Sequence, residues 1–142
     1  MAHDEELSIE RRTELDIEVE DLWALISTAD GWASWLVDDA DIAVAPGATG
    51  TARYDGVERS VRIDTVTGGL RVGFSWWDRD DPTTGSYVQL EIVELAGHKS
   101  QLHITERFVG ATASTATSRS IAWDVRLVSL WLMLAVQSLV MA

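Results

Sequence analysis

KSQLHITERF, residues 99–108, is followed after an Ala/Thr/Ser-rich stretch by SIAWDVRLVSLWLMLAVQSLV, residues 120–140, and the change of period between the two decides the fold. In the first segment Leu102, Ile104 and Phe108 alternate with polar residues, the period of a strand with one buried face. In the second, Trp123, Leu127, Leu130, Trp131 and Leu134 form one helical stripe, with Val128, Leu132, Val136 and Leu139 as a second stripe beside it. Arg126, Ser129 and Gln137 remain as a thin polar line. One stripe is enough to cover a sheet, so the second implies deep burial or a partner surface.

Upstream, the alternation continues. Val88, Leu90 and Ile92 mark a strand over Tyr87–Leu95, joined to Lys99–Phe108 through Ala96-Gly97-His98. Asp55-Gly56 and Gly68-Gly69 are hairpin signals between strands expected at Gly50–Tyr54, Val57–Val66 and Leu70–Trp77. Asp78 to Ser86, charged at its start and holding Pro82 and Gly85, reads as a polar loop. At the other end, period two over Leu7–Val19 gives a strand, after which Leu22, Trp23, Leu25 and Ile26, then Trp32, Trp35 and Leu36, have helical spacing. Two short helices hinged at Asp30-Gly31 are expected there. The run from Gly110 to Ser118 reads as a loop into a terminal helix over about residues 120–140. The order is strand, two helices, a run of antiparallel strands, then a long helix. Hairpin-linked strands cannot cover their own apolar face, so an α+β fold follows in which the terminal helix packs on the sheet.

The 142 residues suit a single domain spanning 1–142. Hydrophobic residues at 46% and charged residues at 24% are those of a chain that folds alone. Eleven Lys and Arg against 23 Asp and Glu give a net charge of −12, which repels phosphate backbones and argues against nucleic-acid partners. There is no cysteine, hence no disulfide, thiolate metal site or thiol nucleophile, and cytoplasmic residence is the expectation. Met1 to Glu6 carries three acids and no apolar run, unlike a secretory signal. Leu127 to Ala142 is shorter than the roughly 20 residues needed to cross a bilayer and reads as a buried helix, not a membrane span.

Several short stretches carry a family likeness by their order and spacing: Ile9-Glu10-Arg11 through Leu15, Leu22-Trp23-Ala24-Leu25, Gly31-Trp32, Trp35-Leu36, Pro46-Gly47, Arg53, Val61–Val66, Leu70 to Trp77, Thr105-Glu106 and Trp123. Together they resemble the START-like/SRPBCC (Bet v 1-like) superfamily, in its branch of homologues of the activator of heat-shock-protein-90 ATPase. The resemblance covers nearly the whole chain. It implies a helix-grip fold, a cavity that commonly holds small hydrophobic molecules, no assigned reaction for most bacterial members, and a chaperone as a partner. The chain departs from the family at Glu18-Val19, where a proline usually precedes the first helix, and in its more apolar terminal helix, which points to a homodimer through that helix.

Seven tryptophans are a heavy load for one domain. Trp32, Trp35, Trp76 and Trp123 are candidates for lining a ligand cavity, while Trp23 and Trp131 read as ordinary core. Arg11 and Glu106 fall in the inward phase of their strands, where a charge must meet a ligand, an opposite charge or water; a structural pair is the weightier reading. Arg53 is a candidate anchor at the cavity mouth, set against a solvated surface role. His3, His98 and His103 lack ligand spacing, so no metal is expected. No phosphate loop and no nucleophile elbow is present, and no catalytic residue or cofactor is assigned. The reading is a binding protein for a small hydrophobic ligand in an internal cavity. A cyclase/aromatase-type enzyme using the same cavity and a chaperone-interacting module are the alternatives.

Overall fold

A computed structural model describes residues 7–108 and 113–140. The readings of Met1–Glu6, His3, the start of the loop at Gly110 and the last two residues of the apolar tail lie outside them. Seven strands form one antiparallel sheet: β1 (Leu7–Leu15), β2 (Asp39–Asp41), β3 (Thr49–Tyr54), β4 (Val57–Thr67), β5 (Arg71–Asp78), β6 (Asp81–Leu95) and β7 (Lys99–Phe108). Their spatial order is β1-β7-β6-β5-β4-β3-β2. Helices α1 (Val19–Ser27) and α2 (Ala29–Trp35) follow β1, and α3 (Ala113–Val140) ends the fold. This is the α+β helix-grip arrangement that the change of period calls for.

The hairpins form where the turn residues place them. Asp55 and Gly56 both take positive φ, at 51° and 79°, which is what a two-residue turn matched to strand twist requires. Four expectations need correction. The helices part at Thr28 and not at Asp30-Gly31: Thr28 Oγ1 accepts from Gly31 N at 2.9 Å and so caps α2. Gly31 lies buried inside α2. The polar stretch 78–86 is mostly strand, because β6 begins at Asp81 across a register shift opposite Trp76/Asp78, and Thr84 Oγ1 accepts from Asp78 N at 2.7 Å. The helix starts at Ala113, so small residues without apolar periodicity extend it at its N-terminal end. Short β2, at the sheet edge, carries no apolar pattern and was not expected.

Trp32, Phe74, Trp76 and Trp123 form a file of rings with centroids 4.6, 5.1 and 6.5 Å apart, running from α2 through β5 to α3. Trp32 Nε1 donates to Ile26 O at 2.7 Å and Trp35 Nε1 to Leu25 O at 3.0 Å. These carbonyls lie in the last turn of α1, where no intrahelical donor reaches them. The two indoles thereby fasten α2 to α1.

Helix α3 turns its first apolar stripe to the sheet except at Trp131: Trp123 and Leu130 are buried, and Leu127 and Leu134 pack partly buried against the core. Its inward stripe is Arg119, Trp123, Arg126 and Leu130, all buried. Ile121, Val125, Val128, Trp131, Leu132, Val136 and Leu139 face outward, each more than half exposed. Trp131 is therefore surface and not core, Arg126 is core and not part of a polar line, and α3 is only half-buried. Residues 115–139 are long and apolar enough to cross a membrane by length and composition, yet here one side of the helix is bonded to the sheet. Trp23, expected in the core, is partly buried against it.

Candidate functional site

Glu106 alternates with Ile104 and Phe108 on the inner face of β7 and is fully buried. A carboxylate survives there only if donors replace the lost water. Trp76 Nε1 at 2.9 Å, Ser86 Oγ at 2.5 Å and Arg119 Nη1 at 3.1 Å donate to its Oε2, and Trp123 Nε1 donates to Oε1 at 2.9 Å. The donors come from β5, β6 and α3, so one side chain on β7 ties the sheet to the helix. Arg119 also lies 3.4 Å from Thr84 O.

Two further arginines enter the same region. Arg59 alternates with Val61 and Ile63 on β4, and Arg126 lies one turn beyond Trp123 on α3; they are 8% and 1% exposed. Arg126 Nε donates to Leu36 O at 2.6 Å, but its Nη1 and Nη2 have no hydrogen-bond partner. Arg59 Nε stands 3.4 Å from Asp78 Oδ1 without hydrogen-bond alignment, and its Nη1 is likewise unsatisfied. Both guanidiniums lie over rings: Arg59 4.5 Å from the Trp76 centroid, Arg126 4.0 Å from Tyr54, 4.7 Å from Trp123 and 5.3 Å from Trp76. Burial holds Arg59 at about 10, well below the ordinary arginine value, with the charge of Arg119 adding to the effect. Burial does the same to Arg126, also about 10, with the charge of Arg59 as the larger repulsion and that of Arg119 as the smaller. Three cations against one buried anion make the interior of this acidic protein electropositive.

Space opens at Tyr54. One opening of about 250 Å³ is lined by Trp35, Val37, Asp38, Tyr54, Arg126 and Ser129. A second, of about 390 Å³, shares Asp38 and Tyr54 and continues to Ile121 and Val125 on α3. Between sheet and helix, Phe74, Trp76 and Trp123 pack ring against ring beside the buried arginines.

Of the sequence candidates, Trp76, Glu106 and Trp123 are brought together in one hydrogen-bonded group. Trp35 borders the opening beside Arg126. Trp32 sits away from it in the α1–α2 seam. Arg53 is exposed on β3, 3.6 Å from Asp39, outside the group. Arg11 faces inward and is taken up structurally, donating to Asp124 Oδ1 at 2.9 Å and to Ser120 Oγ at 2.5 Å, which binds β1 to α3. The residues missed are Arg59, Arg119, Arg126, Ser86 and Tyr54. Two kinds of signal were there: Arg59 in phase with Val61 and Ile63, and Arg119 and Arg126 in helical phase with Trp123 and Leu130. Among the described residues no cluster of metal-ligating side chains occurs.

No protein-family model matches the sequence, and no curated protein is similar to it in sequence. Solved structures are similar in fold. CalU16 from Micromonospora echinospora superposes with a TM-score of 0.74 at 18% identity, over 94% of this chain and 80% of that one. The Aha1 dimer from Colwellia psychrerythraea gives 0.75 at 18% identity, over 88% and 93%. An HSP90 activator from Plasmodium falciparum gives 0.75 at 16% identity, over 91% and 96%. At such identities the likeness establishes architecture alone: the chain shares the α+β helix-grip fold of these three solved structures.

Proposed function

We propose that the protein binds a small, largely apolar molecule at the Tyr54 opening, between the sheet and α3, and carries it without chemical change. The observation that supports this most is the placement of buried aromatic and charged side chains next to that opening. The larger of the two adjoining volumes, about 390 Å³, lies at the scale of small-molecule sites, roughly 300–1,000 Å³, and their walls combine Trp35, Val37, Tyr54, Ile121 and Val125 with the cation Arg126 and the acids Asp38 and Asp55. Glu106, the one buried acid nearby, speaks against the cyclase/aromatase alternative. A general acid or base must exchange its proton with a substrate, whereas both Glu106 oxygens are held by protein donors and none of the residue is exposed. Native mass spectrometry of protein purified without organic solvent should show an adduct of a few hundred daltons. A bare chain mass, together with no saturable change in tryptophan fluorescence on titration with a hydrophobic fluorophore, would remove the proposal.

The exposed face of α3 supports a second copy of the chain as its partner. Ile121, Val125, Val128, Leu132, Ala135 and Leu139 follow alternating steps of three and four, the seam by which two helices pack knobs into holes. No Lys or Arg lies on that face to meet anionic lipid, as a membrane-surface helix would require. The Aha1 of Colwellia psychrerythraea is itself described as a dimer. Light scattering at micromolar concentration should give a dimer, and Val128→Glu with Leu132→Glu should give a folded monomer. A monomeric parent protein would overturn this. Capture of a chaperone by the parent but not by the double variant would assign the face to the heat-shock-protein partner that the similar activator structures suggest.

A further inference from the structure

The unsatisfied edges of Arg59 and Arg126 say more about what is bound. We infer that these two guanidiniums form a receptor for an oxyanion, so that the carried molecule is an amphipathic acid with a carboxylate or phosphate head and an apolar body; the inference rests on the binding function proposed above.

Three guanidinium nitrogens are buried with no acceptor, Arg59 Nη1 and Arg126 Nη1 and Nη2, while Arg59 Nε has only the poorly aligned Asp78 Oδ1 at 3.4 Å. Leaving such donors dry is unfavourable, and the acceptors the fold supplies, Leu36 O for Arg126 Nε and Asp78 near Arg59 Nε, leave the outer nitrogens unanswered. Glu106 does not account for them, because its donors are Trp76, Ser86, Trp123 and Arg119. Nor do the rings. A guanidinium lying over Tyr54 or Trp76 gains from the π face, but the ring supplies no oxygen acceptor for its N–H groups. Arg59 and Arg126 both lie over Trp76, at 4.5 and 5.3 Å from its centroid, and are close enough that each charge acts on the other. Arg126 borders the opening through which a head group would enter. A two-oxygen anion placed between them would accept from both forks, and the surrounding indoles would keep water from competing. Carboxylate and phosphate satisfy the same donors, and measurement separates them.

The test uses three ten-carbon probes on the full-length protein, followed by tryptophan fluorescence and calorimetry: decanoate, decyl phosphate and decanol. Decanoate or decyl phosphate should bind at least about tenfold more tightly than decanol, and the better of the two names the head group. In Arg126→Met the preference for the anion should vanish while decanol affinity is unchanged or improved; Arg59→Met serves as the second variant should the first fail to fold. Arg53→Met, outside the group, should keep the full preference. Equal binding of acid and alcohol by the parent protein, or a preference that survives in both arginine variants, would overturn the oxyanion receptor and leave an apolar carrier standing. Saturable binding of none of the three would bring down the carrier reading and this inference with it.

Discussion

Glu106→Gln should lower the stability of the folded chain by about 3–5 kcal/mol, the range for breaking one side of a buried ion pair, and its melting temperature by roughly 12–20 °C at about 4 °C per kcal/mol. The substitution is nearly isosteric, so the loss is electrostatic and not one of packing. An amide offers one acceptor oxygen where the carboxylate has two, and its NH₂ would face side chains that are themselves donors: Trp76, Trp123, Ser86 and Arg119. Arg119, 7% exposed, would be left as an unbalanced charge beside two others. The companion experiment is Arg119→Met in the Glu106→Gln background. Removing the stranded cation should return part of the loss, giving a coupling of at least about 1 kcal/mol between the two sites. Chemical denaturation reads both quantities. A Glu106→Gln protein within 1 kcal/mol of the parent, or strictly additive variants, would show that the group is not the electrostatic tie between β7 and α3 described above.

The legible part of this architecture is the part governed by period. Leu102, Ile104 and Phe108 fix which face of β7 is inward, and the same alternation carries Glu106 inward with them. Asp55-Gly56 fixes a turn because few other residues accept two successive positive φ values. Strand 81–86 was not legible because it has no apolar alternation, and its first three residues are exposed, so nothing in their order marks pairing; β5 supplies the pairing, across a register shift.

The orientation of α3 was only partly legible, for a different reason. A helix with apolar residues around nearly its whole circumference has no strong preference for one face, so the sequence alone left its second stripe open between burial and a partner surface. What turns the helix is Glu106: a buried acid demands donors, and Arg119, Trp123 and Arg126 on one side of α3 meet the interior it creates. The cost is an apolar stripe left in solvent, which is where the proposed second copy would sit. Inward charge on β7 and inward charge on α3 were each visible as exceptions to hydrophobic patterning. Only their juxtaposition, which depends on the crossing of elements far apart in sequence, turns two exceptions into a site.

Gly31→Ala should be a damaging one-carbon change, costing about 3 kcal/mol, the upper end of the ordinary range for overpacking. Intrinsic propensity argues the other way, since Ala is favoured over Gly inside a helix by about 1 kcal/mol. Sterics win because of what the new methyl meets. It would overlap Ala24 O and lie 2.7 Å from Leu25 Cα and 2.8 Å from Leu25 O, all backbone atoms of α1 that no rotamer change can move. Relief requires α2 to shift away from α1 as a body. That shift would strain the Trp32 and Trp35 bonds to the α1 carbonyls and would displace Leu36, the C-cap of α2, whose carbonyl holds Arg126 Nε at 2.6 Å. The damage should therefore reach the site, and anion preference should weaken in Gly31→Ala along with stability. Gly68→Ala is the control: an added methyl there meets nothing within 4 Å, and its effect should stay within about 0.5 kcal/mol. Thermal denaturation of the two variants in parallel decides the matter. A Gly31→Ala protein as stable as Gly68→Ala would mean that the helices sit further apart than described, and the positioning of Arg126 through Leu36 would lose its support.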